Sequence, residues 1–319
     1  MKGDFLNSTL YYIKKKILWT IPILIGITFL AFSLGLMGKG DPATTRASAD
    51  PNYIPTEEEI EEIREEMGLN DSIFVQYIHW MEDVLHGDFG TSYIDDKPVF
   101  EEMMRLMPNT LILSVMSLSL IIVLGLIGGI FLAWFQDRFL DLTGRIALVF
   151  FMSIPGFCLA YFMIWLFAQK LHILPTSGVE TMVGFVMPCL AVSIGSSCVA
   201  ARMLRISILG ELSQNYILTI QAKGFRRSQC IFRHALRNSL IPFITYIANV
   251  FGGLLGGSMI TESVFSVPGI GSYALNAINN RDYVAIQGYV LFTGVVFALT
   301  SLFSDLICAW LNPQIRLGE

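Results

Sequence analysis

Charge is what this sequence lacks most. Of its 319 residues only 15% are charged, while 54% are hydrophobic and the mean hydropathy is +0.59. Soluble domains are roughly a quarter charged. The chain is therefore predicted to be an integral membrane protein. Nucleic-acid binding has no support, because the basic residues flank hydrophobic runs, where membrane topology already explains them.

Motifs for catalysis and metal binding are also missing. The sequence has no G-x-x-x-x-G-K-[ST] loop to cradle nucleotide phosphates, no H-E-x-x-H and no G-x-S-x-G. Its five cysteines form no C-x-x-C pair, so we expect free reduced thiols, with neither disulfides nor a metal site. His79, His86 and His172 are more simply ordinary surface or interface residues than ligands. The chain is thus expected to be no enzyme and to need no cofactor.

Six apolar runs are long enough to cross a hydrocarbon core about 30 Å thick. They span about 17–37, 108–134, 146–168, 182–201, 241–261 and 284–311. The first could be a signal peptide, but it is longer than a usual signal core, so we predict a retained span. Pro155-Gly156 and Pro188 indicate kinks or local unwinding, which would either shape a cavity or only adjust packing. The glycine-rich stretch 252–258 suits close helix packing or contact with a partner subunit.

The loops between these runs differ in charge. One set of loops carries most of the basic residues, namely Lys2, Lys14–Lys16, Arg138, Arg145 and seven more between 202 and 240. The other set includes residues 38–105, which hold 17 of the 26 acids. Because basic loops stay in the cytoplasm, both termini and the loop 202–240 are predicted to be cytoplasmic.

Residues 38–107 are predicted to form a small helical extracytoplasmic subdomain. Thr56 and Glu59 make a capping box for a helix that Gly68 closes. A second helix follows, with Phe74, Ile78, Met81 and Leu85 on one face. The acid run of the first helix is most simply a solvated surface.

The stretch Gly210–Pro242 is the one long basic segment between two hydrophobic runs. Gly224 divides it into two short helical patterns, and a glycine there can supply the positive φ that ends one helix and redirects the chain. A helix–glycine–helix at this position could lie on the lipid surface. The favoured alternative is a docking element for a cytoplasmic partner.

The same stretch resembles the cytoplasmic loop of ABC importer permeases, and most closely the branch that moves dipeptides, oligopeptides and nickel. In that family the loop forms coupling helices that sit in a cleft of the ATPase subunit. Leu218, Ile220 and Gln221 depart from the family's usual Arg, Ala and Arg. The residues that the resemblance assigns to ATPase coupling are Tyr216, Thr219, Ala222, Lys223, Gly224, Arg233, His234, Ala235, Leu236 and Arg237.

A second resemblance to this family lies between the last two spans. The sequence there reads E-x-x-F-x-x-P-G-x-G, followed by R-D-Y. Residues 68–99 and the tail 312–319 are also similar to the peptide-permease branch. The acidic subdomain and the loop around Pro268-Gly269 are the largest exposed outer segments, so they are expected to dock an extracytoplasmic solute-binding protein. The residues expected to do so are Glu262, Phe265, Pro268, Gly269, Arg281 and Asp282.

The resemblance implies an all-α, six-span permease of the type I importer kind. Its parts would be residues 1–37 with the first span, the subdomain 38–107, a five-helix core 108–311 containing the loop 202–240, and a cytoplasmic tail 312–319. Its partners would be a homologous second permease, two ABC ATPase subunits, a solute-binding protein and membrane lipid. The substrate would be a short peptide, with nickel or a metal chelate as the alternative.

Two other classes of protein are compatible with hydropathy alone. A secondary transporter or channel would be expected to carry acids deep in its spans, whereas Glu262 and Asp305 lie toward span ends. A membrane-embedded hydrolase would need a nucleophile–base pair, and none stands out.

The charge asymmetry makes a prediction about labelling. In a cysteine-free background, Ser72→Cys should react in intact cells with a membrane-impermeant thiol reagent, and Ser228→Cys should not. Both variants should react after the cells are permeabilised. Labelling of Ser228→Cys in intact cells would reverse the predicted orientation.

Overall fold

A computed structural model of the chain describes residues 18–33, 42–47, 55–66 and 68–311. Most of these residues are helical, and extended structure within these ranges is limited to an isolated bridge between Thr91 and Pro98. The helices are α1 Leu18–Ser33, α2 Pro42–Ala47, α3 Glu57–Glu66, α4 Ile73–Leu85, α5 Val99–Trp134, α6 Phe139–Ser153, α7 Gly156–Met163, α8 Val186–Leu212, α9 Asn215–Ala222, α10 Arg227–Gln229, α11 Leu236–Leu255, α12 Met259–Val264, α13 Ile270–Asn280 and α14 Tyr283–Leu311.

Four helical stretches within the described ranges are long and apolar enough to cross a membrane, and a bent pair makes a possible fifth. The four are Val99–Trp134, Met182–Leu212, Arg227–Leu255 and Tyr283–Ser304. The predicted first span is described only as α1, an apolar but shorter helix, because residues 34–41 lie outside the described part. The predicted tail 312–319 also lies outside it.

The third predicted span is broken rather than straight. α6 ends at Ser153, α7 begins at Gly156, and the axes before and after the break differ by 93°. Pro155 is the cause, since proline lacks the N–H that a continuing helix needs and biases the residue before it toward extended backbone. Ile154 has φ −82° and ψ 120°. The predicted kink at Pro155 is thus confirmed.

The expected kink at Pro188 is wrong. Pro188 is the third residue of α8, which runs without interruption to Leu212. The first four N–H groups of a helix have no partner within it, so proline removes no helical hydrogen bond there. A single-turn 3₁₀ segment, Met182–Phe185, precedes α8.

The fifth span is displaced from its predicted position, 241–261. It starts at Arg227, passes through a π-helical segment at Cys230–Ala235 and ends at Leu255.

The glycine-rich stretch stops the helix, since Gly257 has φ +94°. Its predicted packing role is confirmed at Gly252, where a Cβ would come within 2.6 Å of the Thr300 hydroxyl on α14. The stretch also borders a cavity of about 580 Å³ between α1, α11 and α14.

The centre of the bundle is the contact between α5 and α8. A Cβ on Gly125 would approach the Ala200 Cβ to 2.8 Å, and one on Gly129 would approach the Leu204 Cβ to 2.8 Å. These glycines therefore set how closely the two helices approach. We call the end of the bundle with the loop 202–240 the basic end, and the end with residues 55–98 the acidic end.

The segment before α5 is tied to the bundle at two points. The Tyr77 hydroxyl on α4 lies 2.8 Å from the Thr28 hydroxyl on α1. The Ser92 hydroxyl donates to an Asp282 carboxylate oxygen at 2.6 Å, next to the start of α14. These contacts fix the acidic segment against α1 and α14.

Helix α3 of that segment forms as its sequence predicts. The Thr56 amide donates to Glu59 at 2.8 Å, and the Glu59 amide donates to the Thr56 hydroxyl at 3.3 Å, so the capping box is confirmed. Gly68 has φ +63°, and the amide of Leu69 reaches the carbonyl of Arg64 at 3.0 Å. This is the hydrogen bonding of a glycine-terminated helix.

A buried ion pair joins α6 to α8 at the basic end. Asp141 is 0% exposed, and Arg205 donates to its two carboxylate oxygens, from Nε and Nη2, at 2.7 Å each. The Asp137 amide adds a third donor at 3.2 Å, and Arg145 lies 3.6 Å away. A bidentate pair of this kind holds two helix ends in one orientation.

We expect Asp141→Asn to lower the free energy of unfolding by about 3 kcal/mol, because it leaves the mostly buried Arg205 guanidinium without its counter-charge. Arg145→Gln is the control. Arg145 is half exposed, and such an ion pair contributes at most about 1 kcal/mol. Thermal unfolding of the two variants in detergent provides the comparison, and equal melting temperatures would contradict the prediction.

Candidate functional site

Gly224 ends the first helix of the basic loop in the way the sequence predicts. Its φ is +86°, its amide reaches the carbonyl of Gln221 at 2.9 Å, and the amide of Phe225 points to the carbonyl of Ile220 at 3.5 Å. These bonds satisfy the last carbonyls of α9 and turn the chain toward α10. A Cβ on Gly224 would meet no atom within 4 Å, so glycine is needed here only for its backbone conformation.

α9 is held to the protein by one side of the helix. Ile217 is 0% exposed and faces the interior. The opposite side is open, and Leu218 is 57% exposed although it is apolar. The five residues assigned to coupling in this half of the loop are all exposed: Tyr216, Thr219, Ala222, Lys223 and Gly224.

The second half of the loop differs from its prediction. It is not a separate short helix, because α10 continues through the π segment into α11. Arg226 begins this stretch, and its amide donates to the Gln229 side chain at 2.9 Å. Arg233 and Arg237 are exposed, His234 and Leu236 are half-buried, and Ala235 is 0% exposed. Ala235 therefore packs this half of the loop and offers no surface.

Glu211 joins the parts of the loop. Its Oε2 atom accepts hydrogen bonds from the Tyr216 hydroxyl on α9 and, at 3.1 Å, from the Asn238 amide on α11. Partial burial and the nearby Glu211 carboxylate raise the pKa of Tyr216 to about 12, so the phenol keeps the proton that it donates. As the lone acid of Gly210–Pro242, Glu211 was visible in the sequence, although its partners were not.

One basic residue of the loop serves the protein's own packing. Arg227 donates from Nη2 to the Gln136 side chain at 2.6 Å and to the carbonyl of Ala133 at 3.3 Å, which ties α10 to the end of α5. Lys223, Arg233 and Arg237 are exposed and pair with no acid in the described part of the chain. The loop thus presents free positive charge beside the open side of α9.

The segment between the last two spans is organised around Glu262. This residue is 0% exposed, and its carboxylate accepts from the amides of Ser272 at 2.9 Å and Ser258 at 3.2 Å and from the Thr110 hydroxyl at 3.3 Å. Burial raises the pKa of the Glu262 carboxyl, while the donors oppose that shift. The carboxylate caps the N-terminus of α13 from outside the helix.

The glycines of this segment make room for that carboxylate. A Cβ on Gly269 would lie 2.5 Å from a Glu262 oxygen, and one on Gly271 would lie 3.0 Å from it. The spacing E-x-x-F-x-x-P-G-x-G is therefore the sequence of a compact folded turn. Thr110 connects the turn to α5 through a further bond from the Ile270 amide at 2.9 Å.

This geometry corrects part of the expected docking surface. Glu262, Phe265 and Asp282 are at most 2% exposed, and Gly269 is buried, so they shape the turn and cannot touch a partner directly. Asp282 instead accepts the bond from Ser92 described above. Pro268 and Arg281 are exposed, and docking through them stays a prediction.

Known protein families and individual relatives match the sequence of this chain over nearly its whole length. Residues 125–317 match the model of the binding-protein-dependent transport system inner membrane component, and residues 9–114 match the N-terminal model of such membrane components. The dipeptide transport system permease protein DppB of Alkalihalophilus pseudofirmus is 34% identical, over 96% of this chain and 99% of that protein. The glutathione transport system permease protein GsiC of Salmonella typhimurium is 35% identical, with the same coverage.

A solved structure shares the fold. An inward-facing conformation of the MetNI methionine ABC transporter superposes with a TM-score of 0.53, covering 66% of this chain and 96% of the matched chain. The sequences are 18% identical. The likeness therefore concerns the arrangement of helices.

Glu211→Ala should loosen α9 from α11, because it removes the acceptor that Tyr216 and Asn238 share. A solvent-exposed bond of this kind contributes about 1 kcal/mol, so opening of α9 should rise about fivefold. Trypsin cleavage after Lys223 in the purified protein measures this opening. Glu180→Ala, another exposed acid far from the loop, is the control. An unchanged cleavage rate in Glu211→Ala would show that Ile217 alone fixes α9.

Proposed function

This chain belongs to the inner membrane components of binding-protein-dependent transport systems, and we propose that it is the permease subunit of an ATP-driven importer of short peptides. The observation that carries the proposal is the exposed coupling surface, which we define as the open side of α9 together with Lys223, Arg233 and Arg237. That surface is basic, and Gly224 and Glu211 set its shape.

The partner expected at the coupling surface is an ATPase subunit in the cytoplasm. The open side of α9 offers Leu218 for an apolar pocket, and the same loop carries the unpaired basic side chains of Lys223, Arg233 and Arg237. An apolar centre with a charged rim is the usual form of a specific protein interface, in which rim charges steer association. Because the chain itself has no phosphate-binding loop, ATP hydrolysis belongs to two such partners.

The translocation path is proposed to run along one face of α11. Thr245, Asn249 and Gly253 are exposed and recur at four-residue steps on this apolar span. An amide that faces hydrocarbon without a partner costs several kcal/mol. We therefore place this face toward water, opposite a homologous second permease. Peptide amides would find donors and acceptors in Asn249 and Thr245.

Delivery of the peptide is proposed to occur at the acidic end, outside the cytoplasm. The names of the curated relatives, a dipeptide permease and a glutathione permease, support a peptide as substrate. Pro268, Arg281 and the acidic side of α3 are exposed at this end. A solute-binding protein would dock there. Both termini of the chain would then lie in the cytoplasm, next to the ATPase subunits.

Gly224→Val tests the proposal at the coupling surface. A branched side chain at φ +86° strains the backbone by about 1–2 kcal/mol and should displace α9 from α10. We expect the variant to insert and to pair with its partner permease normally, while co-purification of the ATPase and peptide-stimulated ATP hydrolysis fall sharply. Lys223→Gln and Arg237→Gln should cause smaller losses that grow with salt.

Gly87→Val is the matched control. Gly87 has φ +90° and, like Gly224, has no atom within 4 Å of a built Cβ, but it lies at the acidic end. Its backbone strain is therefore equal, and ATPase association should be unchanged. If Gly224→Val retains full ATPase association, the loop is a lipid-lying element and the proposed coupling surface is refuted.

A further inference from the structure

A small pocket lies at the acidic end and is lined by residues of α4 and of the beginning of α14. Its volume is about 200 Å³. Phe32 from α1, Trp80 from α4, Tyr93 from the following loop and Tyr283 from α14 give it an aromatic lining. None of the contacts described for the coupling surface or the translocation path involves this pocket.

Polar groups without partners also line the pocket. Gln287 is 6% exposed, and its side-chain amide makes no hydrogen bond within the described part of the chain. Its carbonyl oxygen is therefore available to accept a hydrogen bond from a group in the pocket, while the buried Trp80 Nε1 donor also has no partner in the described part of the chain. Asp83 lines the pocket as well, is exposed, and forms no ion pair with any described residue.

The lining favours a cation at Asp83 and Gln287, although it also contains His79 and the Trp80 indole donor. A carboxylate and an amide oxygen accept from an ammonium or guanidinium group, and aromatic faces attract such a group through their quadrupoles. The surroundings strengthen the preference, because α3 and α4 carry Glu57–Glu59, Glu61, Glu62, Glu65, Glu66, Glu82 and Asp83. Exposed acids of one sign raise the local concentration of a positively charged partner.

The size of the pocket selects a single side chain. Pockets for whole small-molecule ligands usually measure about 300–1,000 Å³, so a volume of about 200 Å³ suits one long side chain better than a peptide. Arginine fits best, since its planar guanidinium stacks on aromatic rings and donates several hydrogen bonds at once. Arginine is also among the residues that most often dominate the binding energy of protein interfaces.

We propose that this pocket receives an arginine side chain of the solute-binding protein and so fixes where that protein docks. The inference rests on the proposed function, and it names the chemistry by which the acidic end recognises its partner. The guanidinium lies among the aromatic rings and donates to the Asp83 carboxylate and the Gln287 carbonyl oxygen. The other acids of α3 and α4 attract the partner without contacting this arginine.

Asp83→Asn and Glu82→Gln provide a matched pair for the test. Both remove one negative charge from α4 at neighbouring exposed positions, but only Asp83 lines the pocket. The complete transporter, reconstituted in lipid nanodiscs, is titrated with its purified binding protein. Asp83→Asn should weaken binding about tenfold, whereas Glu82→Gln should weaken it less than about twofold, as expected for a charge that only steers association.

A soluble probe gives an independent measurement. Agmatine, which carries a guanidinium on a short chain, should compete with the binding protein for the wild-type transporter and should not compete for the Asp83→Asn variant. Equal affinities of Asp83→Asn and Glu82→Gln would overturn the pocket proposal, as would a failure of agmatine to compete. A wild-type transporter that binds no binding protein and couples no ATP hydrolysis would overturn the proposed function itself.

Discussion

The rest of the structure depends on the close approach of α5 and α8. Gly125 and Gly129 have no Cβ, so the Cβ atoms of Ala200 and Leu204 on α8 pack directly against the α5 backbone, and other elements are tied to each end of this pair. At the basic end, α8 supplies Arg205 for Asp141, and the end of α5 receives Arg227 from the coupling loop. At the acidic end, Thr110 of α5 holds the turn built around Glu262. One contact thus sets the relative position of the surfaces proposed for the ATPase and for the binding protein.

Features that depend on neighbouring residues could be predicted from the sequence. The capping box at Thr56, the termination at Gly224 and the break at Pro155 all follow from local backbone chemistry, and each was found. The limits of the fifth span were misjudged for a similar reason. Hydropathy marks where a segment is apolar, whereas the helix begins in the polar residues at Arg227 and ends where Gly257 adopts positive φ.

Features that join distant parts of the chain were not predictable. Asp141 and Arg205 are 64 positions apart, and Ser92 and Asp282 are 190 apart, and nothing near any of them in the sequence indicates a partner. For the same reason, docking was assigned to Glu262, Phe265 and Asp282, although the side chains of all three are buried. Polar residues in an outer loop suggest a surface, but Glu262 is enclosed because Thr110, 152 positions away, completes its set of donors.

The unbroken helix from Arg227 to Leu255 has a mechanical consequence. Arg233 and Asn249 lie on one rod, about 24 Å apart at 1.5 Å per residue, with no loop between them. A displacement applied to Arg233 is therefore carried along one continuous helix, in which Pro242 removes one backbone hydrogen bond between the two residues. The π segment at Cys230–Ala235 is the place where its winding departs from the α-helix, so bending or a change of register would concentrate there. α9, on the other side of the Gly224 turn, is held separately by the buried side chain of Ile217 and by the Glu211 carboxylate that Tyr216 and Asn238 share.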